Sequence, residues 1–88
     1  MKTFESVDEV MAAVGKLRDE LESCGETEAS RELSGALGAF YTTATEALAE
    51  VYDALQRTEE RWSKPLSRGY VALGEHSMKE ARRLMNLG

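Results

Sequence analysis

This chain of 88 residues has one cysteine, one proline, one tryptophan and one histidine. Each scarcity excludes something. With Cys24 alone, no intramolecular disulfide can form. As a nucleophile Cys24 would need a base, and the sole histidine, His76, lies far along the chain, so Cys24 reads as a small buried apolar residue. One histidine and one cysteine leave the Glu-x-x-His, His-x-x-x-His and paired-cysteine metal spacings unfilled. Gly35 and Gly38 follow no strand and make neither a dinucleotide nor a phosphate loop. No run approaches the ~18 apolar residues of a membrane span. The opening MKTFESVDEV has no apolar signal core. These absences predict a cytoplasmic chain with no membrane, metal or cofactor partner.

What is present favours helix. Hydrophobic residues make up 42% and charged residues 31%, the balance of a folded globular chain. Alanine, leucine and glutamate dominate, and β-branched residues are few, so the fold class expected is all-α over a single domain, 1–88. A chain of this size buries only about 60–65% of its unfolded surface, and oligomers often help.

Periodicity divides the chain. Ser6-Val7-Asp8-Glu9 fits a capping box, and Val7, Val10, Val14, Leu17, Leu21 and Cys24 make a narrow seam behind it. Gly25 is placed to stop that helix, so helix 1 is expected at about 7–23. Thr27 is the next cap. From there Leu33, Leu37, Phe40, Tyr41, Ala44, Leu48, Val51, Tyr52, Leu55 and Trp62 project onto one face at about 100° per residue. The phase does not slip at Gly35 or Gly38, although each interior glycine costs roughly 1 kcal/mol. The sequence therefore predicts one long helix at about 28–61, roughly 50 Å in length. Gly38, Thr42, Thr45 and Ala49 flank it as a small-residue strip where another backbone can approach; a kink at the glycines is the alternative. After Pro65 a C-terminal helix is expected at about 66–86, either continuous or irregular near Gly74, where Ser77-Met78-Lys79-Glu80 repeats the capping-box pattern.

Two short helices flanking one long helix leave its stripe partly uncovered. That predicts an open three-helix bundle completed by a homodimer, with Leu33, Leu37, Phe40, Tyr41, Leu48, Val51, Leu55 and Trp62 as interface, Phe40 and Trp62 its anchors. The function expected is a non-enzymatic protein-interaction or oligomerisation module, its partners a second copy and another protein. Charge supplies the rival reading. Residues 1–60 hold 14 acids and 5 bases, a balance of −9, whereas residues 61–88 hold 6 bases and 2 acids. Lys79, Arg82 and Arg83 lie close together on the last helix and, with Arg61, Lys64 and Arg68, could engage the phosphates of nucleic acid. The acidic remainder opposes such binding, and cations near a helix C-terminus also complement its dipole. Acid pairs such as Asp19-Glu20 and Glu59-Glu60 point apart on a helix and suggest solvated faces. Trp62-Ser63-Lys64 resembles, in one residue and in shape, the Trp-x-Gly turn of small secreted helical hairpins. The glycine is missing and the bend lies far past the midpoint, so nothing is carried over from that family.

Overall fold

The structure, a computed structural model, describes residues 1–87. It is all-helical, with α1 (Val7–Ser23), α2 (Thr27–Gly38), α3 (Ala44–Ser63) and α4 (Arg68–Leu87), and no strand among the described residues. The helix ends follow from local chemistry. Gly25 has φ 87°, the left-handed geometry that a glycine accepts without strain. Around it the Glu26 N–H donates to the Leu21 carbonyl at 2.9 Å and the Gly25 N–H to Glu22 at 3.1 Å, a Schellman closure. Helix α1 ends where its glycine predicts.

The single helix expected over 28–61 is two helices. Gly38 is the last residue of α2, and Ala39 leaves it in an extended conformation (φ −73°, ψ 153°). Thr43 is extended as well and caps α3, its Oγ1 accepting from the Glu46 N–H at 3.1 Å. The Glu46 carboxylate reaches back to the Thr42 N–H and Oγ1 at 3.1 and 2.7 Å. Thr43 thus caps α3 by its side chain, while the returning Glu46 carboxylate holds Thr42, the residue before the cap. On the other side of the break, the Tyr41 hydroxyl donates to the Ala36 carbonyl at 2.6 Å, one of the carbonyls that the end of α2 leaves without a helical partner. The stripe keeps its phase because α2 and α3 turn their apolar faces to the same core. An unbroken phase does not require an unbroken axis.

That core draws on every helix. Val10, Val14, Leu17 and Leu21 come from α1, Leu33 from α2, and Leu48, Val51, Leu55 and Trp62 from α3. Ala81 of α4 and Leu66 of the last linker complete it. Helix α1 packs on the other three, α3 packs most extensively on α4, and α2 and α4 do not pack on each other. The result measures 35 × 27 × 17 Å.

Trp62 shows how tightly α3 and α4 meet. It is fully buried, and its Nε1 donates to the Leu55 carbonyl at 3.1 Å. A Cβ at Gly74 would lie 2.7 Å from the indole ring, so only glycine lets α4 pass there. Of the two forms expected for the C-terminal helix, the continuous one is found: α4 runs through Gly74 unbroken. Close approach belongs to Gly74 and not to the strip of Gly38, Thr42, Thr45 and Ala49: a Cβ on Gly35 or Gly38 would meet nothing within 4 Å. Cys24, expected in the core, is exposed, because it lies beyond Leu21, the last buried residue of α1. The two other box patterns do not cap by side chain. Ser6 makes no side-chain cap bond, and Glu9 takes the Glu5 N–H instead. Ser77 lies inside α4 and donates to the Leu73 carbonyl at 2.7 Å.

Candidate interaction surfaces

The residues expected at an interface separate into two groups. Leu33, Leu48, Val51, Leu55 and Trp62 are at most 4% exposed within a single chain. Helices α1 and α4 cover them, which removes the open stripe on which the dimer was argued. Leu37 is half-buried and packs against the same core. Of the expected interface residues only Phe40 stands on the outside, in the linker 39–43, where its neighbour Tyr41 is half-buried. Phe40 is 92% exposed; the break in the helix turns it away from the stripe that its spacing projects it onto.

Around Phe40 and Tyr41 an open groove of about 570 Å3 runs between α2 and α3. Its floor includes Gly35, Ala36 and Ala39, and Glu32, Glu46 and Glu50 line it as well. The two hydrogen bonds from Thr42 hold the Glu46 carboxyl below its ordinary value, so it is ionised at neutral pH. Partial burial, and secondarily the charge of Glu50, push the Tyr41 hydroxyl above its ordinary value, which keeps it a neutral donor to Ala36. The corner thus offers one large apolar side chain beside the carboxylates of Glu46 and Glu50, while Glu32 is paired with Arg57, which lines the groove too.

Two of the basic candidates, Arg61 and Arg83, are drawn into the fold's own contacts. Arg83 bonds Glu80 through Nη2 at 3.1 Å and Nε at 3.2 Å, and also donates to the Phe4 carbonyl. Lys79 and Arg82 remain exposed. Arg61 lies 3.5 Å from Glu28 and 3.9 Å from Glu26, which ties α3 to the start of α2. Arg57 pairs with Asp53 and, at 3.5 Å, with Glu32. These pairs are exposed and contribute little stability, but they leave fewer free cations than the sequence count suggests.

A third feature had no signal in the sequence. Residues 2–5 cross α4 in a non-helical strap. The Phe4 N–H donates to Glu80 Oε1 at 2.7 Å, the Phe4 carbonyl accepts from Arg83, and the Lys2 carbonyl accepts from His76 Nε2 at 2.7 Å. The Phe4 ring meets the His76 ring edge-on at 4.9 Å. Glu80 is 3% exposed, and Arg83 first, then the Phe4 N–H, hold its carboxyl below its ordinary value. Glu80 and Arg83 are three residues apart on one helix, but the peptide partner of Glu80 lies 76 residues away.

Among the described residues, no three His, Cys, Asp or Glu side chains are placed to share a metal ion. No helix among the described residues is long and apolar enough to cross a membrane. Comparison with protein-family models, curated proteins and solved structures finds no match for this chain.

Proposed function

We propose that this chain is a non-catalytic protein-interaction module that docks its partner at the corner between α2 and α3. The observation that carries this reading is Phe40, a large apolar side chain 92% exposed in a linker whose own contacts do not use it. Aromatic side chains beside a groove are the residues on which interface energy concentrates. The carboxylates of Glu46 and Glu50 select the partner's charge, favouring an apolar side chain flanked by lysine or arginine.

A second copy of the chain fits less well. Two-fold pairing through this corner sets each acidic groove against its own image, and the net charge of −5 opposes it further. The nucleic-acid reading is weaker again, because Arg61 and Arg83 are committed to Glu26, Glu28, Glu80 and Phe4.

Photo-crosslinking in the producing cells tests the proposal. A benzophenone amino acid at position 40 is expected to give a discrete adduct that the same group at exposed Gln56 does not give. Glu46→Lys with Glu50→Lys should remove it. An adduct of twice the 9.7 kDa chain mass would replace the basic partner with the homodimer. Equal adducts from positions 40 and 56 would sink the docking corner altogether.

A further inference from the structure

We propose that the face of α4 beneath residues 2–4 is a receptor for an extended peptide segment carrying an aromatic residue, and that the chain's own N-terminal strap is its resident competitor. This surface shares no residue with the Phe40 corner and does not depend on it.

Three observations converge. The first is the form of the grip. His76, Glu80 and Arg83 recur at four- and three-residue spacing, so they line one side of α4. Between them they take three main-chain groups of the strap: the Phe4 N–H, the Phe4 carbonyl and the Lys2 carbonyl. Main-chain groups are common to every extended segment, so this part of the recognition is indifferent to sequence. The second observation is where the selectivity lies. Phe4 is the one strap side chain packed on the core, and it stacks edge-on with His76, whereas Lys2, Thr3 and Glu5 are exposed. An aromatic ring is required and its neighbours are free. The third is Glu80 itself. A carboxylate 3% exposed is costly unless its lone pairs are filled. Arg83 fills some, and the peptide N–H of Phe4 fills Oε1 at 2.7 Å. When the strap lifts, that acceptor is left open to another peptide N–H.

The strap occupies its seat by proximity. A short tether gives an effective concentration on the order of millimolar, so a peptide in trans must reach that range to displace it. A peptide of residues 1–6 is the probe, with the same peptide bearing alanine at position 4 as control. Isotope-labelled full-length chain is titrated with each and followed by nuclear magnetic resonance. Millimolar probe should move the Phe4 amide and the Arg83 side-chain signals, and the control should not. The chain carrying Phe4→Ala, whose strap is weakened, should bind the probe about tenfold more tightly than the wild type. Adding Glu80→Gln should cut that binding. Should Phe4→Ala fail to fold, judged by circular dichroism, the wild-type titration decides alone. No displacement at millimolar probe overturns the proposal, and so does equal displacement by the alanine control.

Discussion

Trp62 and Phe40 project onto the same apolar stripe, yet one is fully buried and the other is 92% exposed. Size and hydropathy do not separate them. What separates them is the element opposite each. Trp62 lies on α3 where Gly74 lets α4 close over the indole, and the Leu55 carbonyl satisfies its one polar atom. Phe40 lies in the linker between α2 and α3, where no helix of the chain covers it. A position on a projected stripe is buried only where the helix continues and a partner surface arrives.

The largest effect should come from truncating the two rings in turn. Trp62→Ala is expected to cost about 3–5 kcal/mol. Total stabilities of small domains run to only about 5–15 kcal/mol, so this variant should be partly unfolded before any denaturant is added. Phe40→Ala should stay within about 0.5 kcal/mol of the wild type. Urea unfolding followed by circular dichroism reads both. Equal losses would mean that Phe40 is covered in solution and would erase the contrast.

The glycines repeat the contrast on a smaller scale. At Gly74 an added methyl meets ring carbons of Trp62 at 2.7, 2.8 and 2.9 Å, and a buried indole has little room to yield. Gly74→Ala should destabilise by about 1–3 kcal/mol through overpacking. At Gly35 the methyl meets nothing within 4 Å, and the backbone is ordinary helix. Gly35→Ala should stabilise by up to about 1 kcal/mol, the helix-propensity difference alone. Opposite shifts in melting temperature sharpen the comparison, and shifts of the same sign break it.

Much of the fold was legible because its signals are local. Gly25 ends α1 by a geometry that glycine favours, and α4 begins soon after Pro65. The break at 39–43 was written in the sequence as well, in Thr43-Ala44-Thr45-Glu46. The same pattern occurs at Ser6 and at Ser77, yet Ser6 stands at the N-cap of α1 without a side-chain bond and Ser77 lies inside α4. The pattern alone does not decide capping: Ser6 is extended like Thr43, yet its hydroxyl makes no cap bond, and Ser77 is held inside a continuous helix. The dimer was inferred from a helix of roughly 50 Å, too long for its neighbours to cover, and it lost its basis when that helix divided. Phe40 was singled out from the stripe, but it stands outside because the break has taken it off the helix. The strap was not legible, since its hydrogen bonds join residues more than 70 positions apart without a local pattern.

The divided helix can be tested by the sign of a single substitution. Thr43 lies between the exposed ring and the buried one, and its hydroxyl holds the Glu46 N–H at 3.1 Å. If it caps α3, Thr43→Ala leaves that donor without its partner and should cost about 1 kcal/mol. Thr43→Ser keeps the oxygen and should remain close to the wild type. In a continuous helix over 28–61, position 43 would be interior, and alanine there would stabilise by up to about 0.7 kcal/mol, because it is the better helix former. A loss therefore confirms the break that turns Phe40 outward. A gain restores the long helix, returns Phe40 to the stripe, and revives the self-interface that its uncovered face would require.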